Sequence, residues 1–241
     1  MYGYLVVPSR YRRDSRFSFY SWTVAICGLA TFLLTTNTNT TMKRRLFLVV
    51  ALLIVIGMQA QDKVGTYYSS YFKKEYKVEA SLSSGELSIY FDIEGESNSD
   101  NVCINIKGEQ EITSFITALT LAKQKYSEWT SVAINNNVTK MSKEMDISFP
   151  RVTICWSGSK WWFAFRHRLS PRFMVTESGD CVFVMSGTAT ASSNSSNEYI
   201  DQKYYLAFST PEDFDMLINA ITPAAAKEVL NKQQNVEDLF Q

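Results

Sequence analysis

The sequence predicts an α+β domain with a mainly antiparallel sheet, in the order βββ–α–βββββ–α–α. Three observations predict it. Two blocks of short, alternating apolar runs are punctuated by serine–glycine turns. One long amphipathic segment separates the blocks, and proline-led helical segments follow the second. Strands joined by short turns pair antiparallel, whereas a parallel sheet needs a long crossover between strands.

Residues 77–82 and 86–93 flank Ser83-Ser84-Gly85, a turn signal, and read as a hairpin. Leu87, Ile89 and Phe91 share one face, and Tyr90 and Asp92 point the other way. Residues 94–101 are polar and read as a loop. Val102, Ile104 and Ile106 then alternate against Cys103, Asn105 and Lys107 in a third strand.

Residues 109 to about 133 form the clearest helix. Ile112, Phe115, Ile116, Leu119, Ala122, Tyr126 and Trp129 follow the three- and four-residue spacing of one apolar face. Asn135-Asn136-Asn137 ends it, because asparagine favours turn and left-handed conformations.

In the second block, residues 146–156 and 160–168 flank Ser157-Gly158-Ser159, and residues 172–176 and 181–188 flank Ser178-Gly179-Asp180. Residues 189–198 are serine-rich and read as a loop, and residues 199–208 as a fifth strand. Trp161, Phe163 and Phe165 oppose Trp162 and Ala164, so this sheet is expected to be covered on both sides. Thr210-Pro211-Glu212-Asp213 opens a helix with a cap, a proline and two acids that complement the helix dipole. Thr222-Pro223 restarts a helix over 224–232, and the polar tail 233–241 is expected to fray.

The N-terminal region has a different character. Met42-Lys43-Arg44-Arg45 is a basic start, residues 46–58 (LFLVVALLIVIGM) are an uncharged apolar core, and Ala60 offers a small-residue cleavage point. These are the three parts of a secretory signal, and the core is shorter than the about 20 residues a spanning helix needs. Residues 61–241 are therefore expected to be one mature globular domain, periplasmic or secreted. Residues 17–34 are a second apolar stretch with arginines before it and Lys43-Arg44-Arg45 after it. Positive charge on both sides conflicts with the positive-inside rule, so residues 1–41 read as an upstream extension preceding a start at Met42. The alternatives are a membrane hairpin or an anchor through 17–34 or 46–58. Cys27 follows Ile26 rather than a small residue, which argues against lipidation there.

Charge sharpens the reading. The whole chain balances 24 basic against 24 acidic residues, but residues 1–60 hold seven basic residues and one acid. The remainder carries 17 basic and 23 acidic residues, a net charge of −6. An acidic domain has no phosphate-tracking surface, which excludes nucleic acid as the expected partner. Cys103, Cys155 and Cys181 lie far apart in strand-like runs, with no CxxC pair. They read as small buried hydrophobes, with one disulfide plus one free thiol as the rival, and spacing does not select a pair.

Catalytic motifs are sparse. His167, the single histidine, sits between Arg166 and Arg168. Like-charge repulsion is expected to depress its pKa, and it reads as an exposed strand-end residue. Ser157–Lys160 and Ser70–Lys73 match SxxK, but neither serine opens a predicted helix. Asp92, Glu94, Glu96 and Asp100 form an acidic run without EF-hand spacing, which reads as a solvated loop. No metal site, cofactor site or catalytic residue is assigned, although carboxylates paired across the fold stay open.

The best binding candidates are aromatic. Trp156, Trp161 and Trp162, with Tyr204 and Tyr205, form an aromatic-rich band, and Arg166, Arg168 and Arg172 add charge. Adjacent Trp161 and Trp162 face opposite ways on a strand, so one should be less buried, and Trp162 is the position chosen for substitution. The expectation is an exported, non-enzymatic binding protein with a protein or glycan ligand. The alternatives are an envelope hydrolase acting on glycan or ester, and a membrane-tethered accessory subunit.

Overall fold

A computed structural model describes residues 62–96, 101–158, 160–192 and 199–238. The proposed signal peptide, the segment 17–34, Cys27 and Asp100 lie outside the described residues. Among the described residues, no helix is long and apolar enough to cross a membrane.

The fold is α+β, in the order ββββ–α–ββββββ–α–α. Its elements are β1 (Asp62–Ser69), β2 (Lys74–Ser83), β3 (Glu86–Gly95), β4 (Val102–Lys107), α1 (Glu109–Asn135), β5 (Met141–Glu144), β6 (Val152–Ser157), β7 (Trp161–His167), β8 (Pro171–Val175), β9 (Cys181–Ser192), β10 (Tyr199–Phe208), α2 (Pro211–Ala220) and α3 (Pro223–Asp238). The ten strands form one sheet in which all described pairs are antiparallel.

Two strands carry no clear sequence signal. β5 has the sequence MSKE and is almost wholly exposed. It holds its place by backbone pairing with β8 and by polar contacts of Ser142 and Glu144 with Arg172, so no apolar alternation marks it. β1 pairs with β2 through a register shift between Lys63 and Gly65, which interrupts its period of two. Boundaries also differ: β2 starts three residues early at Lys74, and β9 runs on to Ser192, four residues into the expected serine-rich loop, where it pairs with β10. β3 runs on to Gly95, where the acidic run suggests a loop. β6 begins at Val152 rather than at 146, beyond Pro150, which has no amide to donate to a ladder. α3 continues to Asp238, where the polar tail is expected to fray.

The main path runs β5-β8-β9-β10-β3-β4-β6-β7, with β2 and then β1 branching from β3. β3 pairs with β2 along residues 86–91, then with β10 through Glu94 and Gly95. At this junction the Tyr204 ring lies against Gly187 of β9, its register partner. A β-carbon on Gly187 would sit 2.9 Å from the tyrosine oxygen, so only glycine leaves room.

α1 starts at Gly108, whose φ of 94° suits glycine, and stops where Asn137 turns left-handed at φ 51°. Ile112, Phe115, Leu119, Ala122 and Tyr126 are buried along it, as the periodicity predicts. The helix packs on β3, β4, β8 and β9. α2 packs on β1 and β10, and α3 on β1 and β2. Thr210 caps α2 by accepting from the Asp213 amide. Asp213 is itself fully buried and accepts from the Ser70 amide and hydroxyl, the Ser209 amide and the Thr210 hydroxyl, at 2.7–3.1 Å. That carboxylate fastens the β1–β2 turn to the β10–α2 junction, a role beyond the dipole partner expected of it.

Candidate functional site

β7 ends the sheet path, so one of its edges pairs with β6 and the other carries no strand among the described residues. Alternation places Trp162 and Ala164 inward, opposite Trp156 and Ile154 of β6. Trp161, Phe163 and Phe165 point outward and are 48%, 43% and 73% exposed. Their rings are near-parallel neighbours, with centroids 6.5 Å and 6.0 Å apart. Among the described residues, the expected second cover is therefore absent from this strand and its outer face lies open, because α1 packs on the other side of the sheet.

A bulge ends the strip. Ile154 pairs with Ala164, but Val152 pairs with His167, so β7 carries one extra residue between them. Arg166 takes up the irregularity with φ 55°, and its carbonyl accepts from Arg151 at 3.1 Å. The extra residue flips His167 inward, out of the aromatic row. Its Nε2 is 2.9 Å from the Tyr204 hydroxyl on β10, and β7 comes against β9. His167 is thus half-buried at the curl of the sheet rather than an exposed strand-end residue. Burial lowers its pKa, not repulsion from the flanking arginines.

The candidate residues read from sequence separate accordingly. Trp156 is buried in the core. Trp162 is half-buried against that core with the Lys160 ammonium 4.2 Å above its ring. Trp161 is the exposed member of the pair, so the position chosen for substitution shifts from Trp162 to Trp161. Arg166 and Arg168 are exposed beside the strip. Arg172 is not part of it, being held on β8 by Glu144 at 3.0 Å and Ser142 at 3.1 Å. Tyr204 is buried. Phe163 and Phe165 are the residues that sequence reasoning missed as surface. Their i, i+2 spacing puts them on one face with Trp161, but spacing does not say whether anything covers that face.

A second concavity, an open cleft of about 540 Å³, is lined by Ser70, Tyr126, Thr130, Cys181 and Ser209 among others. The Tyr126 hydroxyl lies 3.1 Å from the Cys181 carbonyl and 2.7 Å from that of Ser209. The Cys181 thiol is pushed up by burial, the reverse of what an activated nucleophile needs. The Ser70 hydroxyl is spent on Asp213, and Ser157 Oγ accepts from the Asn101 amide. Neither SxxK serine bonds its lysine in these pairings.

The acidic run is similarly engaged. Glu94 takes the Lys74 ammonium at 2.8 Å and the Tyr76 hydroxyl at 2.7 Å, and Glu96 pairs with Lys203. Asp92 is raised to about 6 by burial, reinforced by Glu79 and opposed by Lys77 and Lys74. It lies on the outer sheet face, away from the cleft lining. Among the described residues, no three His, Cys, Asp or Glu side chains converge to hold a metal.

No family model, curated protein or solved structure matches the chain. Its function has to be read from the geometry of its own surface.

Proposed function

We propose that the protein is an exported, non-enzymatic binding protein whose ligand docks on β7. The observation that carries this reading is the exposed row Trp161–Phe163–Phe165 on a strand with one edge unpaired among the described residues. Large exposed apolar groups in a contiguous row mark interaction surfaces, and aromatic side chains supply most of the anchoring in such surfaces. The unpaired edge favours an extended polypeptide over a glycan. A partner strand would gain main-chain hydrogen bonds along β7 and bury alternate side chains against the rings. Lys160, Arg166 and Arg168 flank the row and suit acidic residues on that partner.

The test is site-specific photo-crosslinking in the source cells, with a benzophenone side chain at Phe165 and a control at Val132, which is 58% exposed on α1. A discrete protein adduct from position 165, absent from 132 and lost with Trp161→Ser and Phe163→Ser, supports the reading. Equal adducts from both positions, or none from 165, would overturn it. The same preparation reports export, because a secreted form has lost the residues before Gln61.

A further inference from the structure

We infer that Cys103 and Cys155 form a reversible cross-strand disulfide that bolts β6 to β4. The two are register partners on adjacent strands, and both are buried. Register partners in an antiparallel ladder have Cα atoms about 4.5–5.5 Å apart, within the roughly 4.4–6.8 Å that a disulfide spans. Their side chains emerge on the same sheet face, in a row that runs Phe163–Cys155–Cys103–Asp92 across β7, β6, β4 and β3. The neighbouring Cys155 thiol, together with burial, pushes the Cys103 thiol up. Cys181 is excluded as a partner: it sits on β9 opposite Val175 and lines the cleft.

The exchange needs a disulfide oxidant, either a low-molecular-weight disulfide or the disulfide of a protein oxidoreductase. One cysteine, as thiolate, attacks an oxidant sulfur and expels one thiol. The second then attacks the mixed disulfide, closes the Cys103–Cys155 bond and expels the other. The two cysteines lose two protons and two electrons, and the oxidant is reduced to two thiols. With the Cys103 thiolate disfavoured in the folded sheet, exchange there is slow, so the bond forms mainly as the chain folds. Its mechanical effect falls on the β6–β7 hairpin, which joins the rest of the sheet through the four register pairs between β4 and β6. The inference stands on the cysteine geometry alone and does not depend on the binding reading.

The full chain is refolded from denaturant in glutathione buffers from reducing to oxidising, free thiols are then trapped in denaturant with a maleimide, and peptides are mapped. At the oxidising end, the Cys103 and Cys155 peptides should be joined and Cys181 alkylated. The oxidised protein should melt about 5–10 °C above the reduced one, since the bond closes a loop of roughly 50 residues. Cys103→Ser and Cys155→Ser should abolish that redox dependence, and Cys181→Ser should keep it. Full alkylation of Cys103 and Cys155 under oxidation, or a bridge to Cys181, would overturn the pairing. A bridge that lowers the melting temperature would overturn the bolting role. Trapping in denaturant reads the pairing even for a variant that folds poorly.

Discussion

Two aromatic triads in this protein meet opposite fates. Phe183, Phe208 and Phe214 pack with centroids 4.8–5.9 Å apart, and each is fully buried. Trp161, Phe163 and Phe165 also stack on one another, at 6.0–6.5 Å, yet stay between 43% and 73% exposed. Residue type and ring contact are alike. The difference is the cover: α2 contributes Phe214 to the first triad and α1 places Tyr126 beside that ring, while no element covers the outer face of β7 among the described residues. Aromatic content thus reports capacity to bury surface, and the placement of helices decides whether that capacity serves the core or remains available to a partner.

The comparison breaks first at its buried end. Phe208→Ala should cost about 3–5 kcal/mol in denaturant unfolding, the usual loss for a large core aromatic. A loss below about 1 kcal/mol would mean that the triad is not the core it looks like. Asp213→Ala should cost about 3 kcal/mol, because four donors lose one charged acceptor in a buried site. The substitution should also release the β1–β2 turn, seen as faster amide exchange at Ser70.

Asp92 tests the outer face through pH. Its carboxyl is raised to about 6 from 3.8 by burial. A raised carboxyl binds its proton more tightly in the folded state than in the unfolded state. Stability from this group is therefore full below the unfolded value and lost as pH rises through about 6. Asp92→Asn should stabilise the protein by about 1–2 kcal/mol at about pH 8 and by almost nothing near about pH 4. Equal stability of the two proteins across that range would show Asp92 to be fully solvated. His167 runs the other way: burial lowers its pKa, so its contribution fades as pH falls through the unfolded histidine value of about 6.5. Asp92→Asn curves should therefore retain an acid-side decline, which His167→Gln should flatten.

The smallest effect sharpens the contrast most. Phe165→Ala removes the most exposed ring of the strip and should change stability by less than about 0.5 kcal/mol, the range of ordinary surface substitutions. A loss as large as that of Phe208→Ala would place Phe165 in a covered interior and remove the β7 strip as a surface.

Much of the frame is legible in the chain itself. The face of α1 from Ile112 to Tyr126, the Ser84-Gly85 turn with both residues at positive φ, and the Thr210 cap follow from local chemistry, and each stands where the pattern puts it. β5 is illegible because backbone pairing and polar contacts with β8 hold it, and neither leaves an apolar alternation. The strip is half legible: alternation groups Trp161 with Phe163 and Phe165 but says nothing of their cover. His167 departs from its expected exposure because a single extra residue at the β7 bulge reverses every face after it.

Local patterning determined most of the elements and, within α1 and the regular stretches of strand, which side chains share a face, because both follow from interactions within a few residues. The tertiary structure alone decided which faces are covered, that Cys155 stands opposite Cys103, and that Asp213 gathers donors from β1–β2 and β10–α2. Those outcomes depend on strand order and helix placement, which join residues far apart in the chain and are set by the summed burial of the whole core rather than by any local preference.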